Sequence, residues 1–257
     1  MIGVFDSGVG GLTVLKALRR ALPGRNFVYF ADTARVPYGR KPMPMVERFA
    51  EGIASFLVER GVEAVVVACN TASAAALPQL GARVQVPLWG VIEPGVEAAA
   101  RATRTGSVGV IGTKGAIASG AYQQKLEAKG LRVWARACPM FVHLVEEGLA
   151  DSAEAEVLAR HYLDDRPEID TLILGCTHYP VLRDVLQRTV GESVCLVESA
   201  EAIAETLSAS LGGGPPAERG RVVHYVTGDV AAYRHTAQVI GDVDGDIIPL
   251  DVTTLAS

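Results

Sequence analysis

Short, largely apolar runs alternate with helical patterns along the chain. Ile2–Phe5, Asn26–Phe30, Glu63–Ala68 and Pro87–Val91 read as strands. Leu12–Ala21, Val46–Arg60, Ala72–Leu80 and Gly95–Arg101 read as the helices that follow them. The pattern restarts with a strand over Ser107–Ile111, a helix over Ser119–Lys129 and a strand over Leu131–Ala135. Helices near Met140–Gly148 and Ala153–Leu163 come next. The strands Thr171–Leu174 and Val194–Val197 then alternate with the helices Pro180–Arg188 and Ala200–Leu211. Strands that are apolar throughout belong to sheets covered on both faces. Strand–helix alternation predicts parallel α/β units.

The rhythm breaks at Gly212-Gly213-Gly214-Pro215-Pro216, which fits neither a helix nor a central strand and reads as a linker. A strand (Arg221–Val226), a helix (Val230–Ile240) and a short strand near Ile247 follow. That tail is too small to fold alone, so it is expected to return to the first unit. The expected architecture is α/β: two pseudo-symmetric three-layer α/β/α domains with mainly parallel sheets and an active site in the cleft between them. The expected boundaries are residues 1–95 with 208–257 for the N-terminal domain, and 96–207 for the second.

The restart is an internal repeat. Ile2-Gly3-Val4-Phe5-Asp6-Ser7-Gly8 aligns with Val108-Gly109-Val110-Ile111-Gly112-Thr113-Lys114 at an offset of 106 (108 − 2). Ala68-Cys69-Asn70-Thr71 aligns with Gly175-Cys176-Thr177-His178 at an offset of 107 (176 − 69). Each half thus carries a hydroxyl residue (Ser7, Thr113) after its first strand and a cysteine (Cys69, Cys176) after a later one. Ligands of parallel α/β sheets bind beyond the carboxyl ends of the strands, where all of these residues fall.

Composition narrows the classes. Of 257 residues 49% are hydrophobic, which excludes a disordered chain. The balance of 24 Lys+Arg against 29 Asp+Glu gives a net charge of −5, with no long basic run, so nucleic acid is not an expected partner. No apolar stretch approaches the roughly 18–20 residues of a membrane span. Asp6 interrupts the first apolar run and rules against a signal peptide, so a cytoplasmic location is expected. Four cysteines are too sparse for a disulfide scaffold and read as reduced thiols.

Cys69 and Cys176 each sit between a strand and an expected helix start, a place that lowers a thiol pKa. Cys138 and Cys195 lack such settings and read as structural. Zinc fits poorly, since no cysteine pair has CxxC spacing and the five histidines are scattered. A Cys–His nucleophile through His178 would not need the second cysteine. A redox pair would need the two sulfurs in contact. A two-base device uses both: one thiolate removes a proton from carbon and the opposite thiol returns one, without a cofactor. The Gly8–Gly11 cluster lacks GxGxxG spacing and reads as a tight turn beside the ligand.

Five segments carry a resemblance. They are Gly3-Val4-Phe5-Asp6-Ser7-Gly8-Val9-Gly10-Gly11; Ala31-Asp32-Thr33 with Pro37-Tyr38-Gly39; Ala68-Cys69-Asn70-Thr71-Ala72-Ser73; Leu144-Val145-Glu146-Glu147-Gly148; and Leu174-Gly175-Cys176-Thr177-His178-Tyr179-Pro180. In order and spacing the chain resembles the glutamate racemases of the cofactor-independent aspartate/glutamate racemase superfamily. The resemblance implies interconversion of L- and D-glutamate without a cofactor or metal, supplying D-glutamate for peptidoglycan. It implies that Cys69 handles the α-proton of the D-enantiomer, assisted by Asp6, and Cys176 that of the L-enantiomer, assisted by Glu146 and His178. Asp6 and Ser7 would hold the substrate ammonium. Asn70, Thr71, Thr113 and Thr177 would serve the α-carboxylate, and Tyr38 and Gly39, after Pro37, the distal one. A homodimer is the implied assembly.

Two departures stand out. Ala116 replaces a threonine found in many relatives, and His143 replaces a proline near Glu146. Two other readings remain at this level: a racemase for aspartate or another small amino acid, and a non-catalytic amino-acid-binding module.

Overall fold

The computed structural model describes residues 1–212, 219–241 and 243–255. Its strands in chain order are β1 (Ile2–Asp6), β2 (Phe27–Ala31), β3 (Ala64–Val67), β4 (Leu88–Gly90) and β5 (Ser107–Gly112). They continue with β6 (Arg132–Ala137), β7 (Thr171–Gly175), β8 (Cys195–Glu198), β9 (Val222–Val226) and β10 (Asp246–Pro249). They form two sheets, ordered β10-β9-β2-β1-β3-β4 and β6-β5-β7-β8. Every strand pairing is parallel. The apolar runs dictate this: every residue of β1, β2, β3, β5 and β7 is buried.

The repeat is structural. The order β2-β1-β3-β4 recurs as β6-β5-β7-β8. β6 starts 105 residues after β2 (132 − 27), and β7 and β8 start 107 after β3 and β4 (171 − 64, 195 − 88). The tail strands β9 and β10 extend the first sheet beyond β2, with Phe27 registered to Val222.

The helices are α1 (Leu12–Ala21), α2 (Met43–Glu59), α3 (Asn70–Arg83), α4 (Ile92–Ala102), α5 (Lys114–Ala118) and α6 (Ala121–Glu127). After them come α7 (Met140–Glu146), α8 (Ala153–Leu163), α9 (Arg183–Val190), α10 (Ser199–Leu211) and α11 (Val230–Ile240). Successive residues of β1 serve opposite faces, as a strand requires. Ile2 and Val4 join the core under α1, while Phe5 joins the core with Ile53 and Leu57 of α2. In the second sheet Val108, Val110 and Ile173 pack under α4 and α6; Leu172 and Leu174 face α8 and α9. The packing of α1 against α10 makes one core continuous through both sheets.

Several local expectations are corrected. The helix expected over Ser119–Lys129 is the shorter α6, and a helix that was not expected, α5, precedes it across Gly120 at φ +70°. Thr113 starts α5 earlier than the apolar pattern suggests, because its side chain caps the helix. The helix expected from Pro180 begins as a 3₁₀ turn (Tyr179–Leu182), and α9 starts only at Arg183. Cys195 heads β8 and is exposed rather than packed in the core. Of the expected linker, Gly212 caps α10 at φ +70°, and residues 213–216 lie outside the described residues. Among the described residues no helix is long and apolar enough to cross a membrane.

Candidate active site

The parallel sheets deliver the candidate residues to the carboxyl ends of β1, β3, β5 and β7. Asp6 ends β1, Cys69 follows β3, Thr113 follows β5 and Cys176 follows β7. The floor of the site is shielded from solvent. Asp6, Cys69, Asn70, Thr71, Cys176, Thr177 and His178 are each 7% exposed or less.

Cys69 caps α3, and its sulfur accepts the Ala72 N–H at 3.5 Å. Its thiol lies 3.8 Å from Ser7 Oγ. The expected acidification by a helix N-terminus does not prevail here. Burial and then the Asp6 charge push the Cys69 thiol up to about 12, against the Ala72 and Ser7 hydrogen bonds that pull it down. Asp6 is fully buried. Its Oδ2 accepts the Gly8 N–H at 2.9 Å, and its Oδ1 has no partner among the described residues. Desolvation raises its pKa, offset in part by the His178 charge and by backbone N–H groups.

The second thiol has different support. Cys176 precedes a 3₁₀ turn instead of capping an α-helix. Its sulfur lies 3.8 Å from His178 Nδ1, and His178 Nε2 lies 2.9 Å from Glu146 Oε1. Burial pushes the His178 pKa down, but its bonds to Cys176 and Glu146 and their charges overcome this and hold it up at about 10. His143 is exposed on α7, three residues before Glu146.

Two contacts join the hydroxyl residues of the halves. Thr71 Oγ1 and Thr113 Oγ1 are 2.8 Å apart, and Thr13 Oγ1 donates to the Thr177 carbonyl at 2.8 Å. Ala116 is buried, and its N–H donates to Thr113 Oγ1 at 3.2 Å, so backbone occupies part of that neighbourhood. Ser7 and Gly39 are half-buried and Pro37 is exposed. Tyr38 is buried, and its hydroxyl donates to Asp32.

The glycines near β1 make room rather than a left-handed turn, since Gly8, Gly10 and Gly11 all lie outside positive φ. A Cβ on Gly10 would sit 2.3 Å from Thr177 Oγ1 and 2.5 Å from His178 Nδ1. One on Gly11 would sit 2.5 Å from Asp6 Cβ, and one on Gly39 2.6 Å from Thr113 Cβ.

Other residues of the site have contacts that the sequence does not signal, several of them to partners distant in the chain. Asp32 is fully buried, and its carboxylate also accepts from Arg35 Nε at 2.7 Å and Thr227 Oγ1 at 2.9 Å. It thereby ties the Tyr38 segment to the tail. Tyr29 lies beneath the β1 loop and donates to the Gly8 carbonyl at 2.7 Å. Tyr122 on α6 donates to Asn70 Oδ1 at 2.7 Å. Only Asp32 lay within a quoted segment, and its burial carries no local signal. Among the described residues, no group of three or more His, Cys, Asp or Glu is placed to hold a metal ion.

The geometry accords with comparisons to known proteins. The glutamate racemase of Thermus thermophilus is 54% identical over 245 residues, covering 94% of this chain and 92% of that protein. That of Geobacter metallireducens is 52% identical over 239 residues, covering 90% and 88%. A crystal structure of glutamate racemase from Thermus thermophilus, in complex with beta-chloro-D-alanine, superposes with a TM-score of 0.91. It is 52% identical and covers 98% of this chain and 97% of that one. The family model described as Asp/Glu/Hydantoin racemase matches residues 2–207. That span runs through both repeated halves and holds both Cys69 and Cys176, and this chain belongs to the Asp/Glu/Hydantoin racemase family.

Proposed function

We propose that the chain is a glutamate racemase that inverts the α-carbon by transferring protons between two cysteines, without a cofactor. The observation that carries the mechanism is the pair of buried cysteines at equivalent strand ends of a duplicated fold, each beside a different proton-handling group. Asp6 and Ser7 flank Cys69, while His178 and Glu146 back Cys176.

From D-glutamate, the Cys69 thiolate takes the α-proton and becomes a thiol. The electron pair left on carbon delocalises into the carboxylate. The Cys176 thiol then protonates the opposite face and becomes a thiolate; the reverse direction exchanges the roles. A substrate ammonium beside Asp6 and Ser7 would place a positive charge against the two groups that burial drives towards neutrality. An opposite charge favours their ionised forms, so the substrate itself would help generate its base. Asn70, Thr71, Thr113 and Thr177 form the polar wall for the α-carboxylate. The Tyr38–Gly39 segment, braced by Asp32, faces the distal one. The exclusion of water strengthens each of these contacts.

The working lobes are residues 1–95 with 208–257, and residues 96–207, which part to admit substrate. The setting is a cytoplasmic supply of D-glutamate for peptidoglycan.

The test is circular dichroism of L- or D-glutamate with purified protein and no added cofactor, alongside α-deuterium incorporation from deuterated water. Both enantiomers should approach a racemic mixture. Cys69→Ser and Cys176→Ser should each lower the rate by about a thousandfold or more, since general-base catalysis and nearly all thiolate basicity are lost. Full activity in either variant would sink the two-thiol mechanism. Binding of glutamate without α-proton exchange would favour a binding module.

A further inference from the structure

Asn70 presents an incomplete hydrogen-bond set. Its Oδ1 accepts from Tyr122, while its Nδ2 is buried and meets no acceptor among the described residues. A buried amide donor without a partner costs stability comparable to a lost hydrogen bond. Tyr122 is fully buried, and its hydroxyl lies 3.0 Å from Ser199 Oγ at the start of α10 as well as 2.7 Å from Asn70. The ring packs closely against Gly175, where an added Cβ would fall 3.2 Å from Tyr122 Cε2 and 2.7 Å from the Ile111 carbonyl oxygen.

We infer that Tyr122 is a positioning residue: it fixes the Asn70 amide so that its NH₂ end is held ready for the substrate α-carboxylate. A Ser199 hydroxyl donating to Tyr122 leaves the phenol proton only for Asn70. An amide receiving that proton must do so through oxygen, and its nitrogen is then the end left unpaired. The reverse orientation would set a carbonyl oxygen against a carboxylate. Asn70 follows β3 of the first sheet, whereas Tyr122 and Ser199 follow β5 and β8 of the second. The amide is therefore set only when the two halves meet. The inference rests on the glutamate racemase reading above.

Steady-state kinetics on Tyr122→Phe, Asn70→Ala, the double variant and Ser199→Ala test it. L- and D-glutamate have equal free energies, so kcat/KM must stay equal in the two directions for every variant. Tyr122→Phe should raise KM for both enantiomers by about tenfold, the cost of one misaligned charge-assisted hydrogen bond, with kcat within about threefold. Added to Asn70→Ala, it should change KM by less than about twofold, because a residue acting through Asn70 has nothing left to position. Ser199→Ala should raise KM in the same direction by a smaller factor, and it keeps the test open if Tyr122→Phe fails to fold. An unchanged KM in Tyr122→Phe, or a full effect persisting without the Asn70 side chain, overturns the inference. Wild-type protein inert towards glutamate would instead overturn the functional reading itself.

Discussion

Asp6 shows how the site holds a group against its own preference. Its carboxyl is fully buried, one oxygen lacks a partner, and desolvation raises its pKa. A carboxyl whose folded pKa exceeds its unfolded value is bound more readily by protons in the native state. Stability therefore declines as pH rises from the unfolded value near 4 through the folded one, and the deficit persists at pH 7. Asp6→Asn removes the charge while keeping an acceptor for the Gly8 N–H. It should raise the unfolding stability at pH 7 by on the order of 1 kcal/mol, as relief of strained active-site groups does. That gain should shrink as pH falls towards 4. The same substitution should lower kcat, since it removes the charge proposed to meet the substrate ammonium. Thermal melts of the ligand-free protein across pH 4–8 check the sign; a less stable variant at pH 7 would refute the account.

Elements bring these residues together, and they were legible in the sequence to different degrees. Strands β1, β3, β5 and β7 could be placed within a residue or two, because a fully apolar run bounded by polar residues has few alternatives. The break between α5 and α6 could not, because the apolar pattern runs across Gly120 and only its positive φ marks the division. The paired cysteines were visible through the repeat, His178 through its place beside Cys176, and Glu146 only through the resemblance. Tyr122 and Ser199 could be given no role, because their bonds reach 52 and 77 residues along the chain, and the bond that ties Asp32 to the tail reaches 195.

The loop from β1 to α1 shows a partial success. Its glycines read as a turn beside the ligand, but their physical task is clearance: Gly11 for Asp6 and Tyr29 of its own half, and Gly10 for Thr177 and His178 of the opposite one. Gly10→Ala tests that difference. A methyl group there meets Thr177 and His178 at 2.3–2.5 Å, so the two halves cannot close as they do now. Overpacking of this kind costs about 1–3 kcal/mol. Activity should fall by at least about tenfold, because displacement of His178 by an ångström misaligns Cys176. Crystallography or kinetics showing His178 unmoved and activity intact would count against clearance as the reason for glycine.

At the scale of the whole molecule, duplication and closure act together. Two copies of one α/β unit face each other, yet their thiols are supported unequally, by Asp6 and Ser7 on one side and by His178 and Glu146 on the other. That inequality is free to change kcat and KM separately for each enantiomer, though not their ratio. Closure has a further consequence, because a cleft this buried must open for substrate to enter. Opening would also rehydrate Cys69 and lower the proton affinity that burial gives it. Alkylation by iodoacetamide reads this motion, since only an accessible thiolate reacts. Cys195, exposed on β8, should label first. Cys138 is wholly buried, with burial raising its pKa, and should label only on unfolding. Cys69 and Cys176, each 6% exposed, should label at intermediate rates set by opening, and saturating D-glutamate should slow both by about tenfold or more. Labelling of the pair as fast as Cys195 would show that the resting cleft is open in solution, and labelling unaffected by D-glutamate would show that substrate does not hold the two halves together.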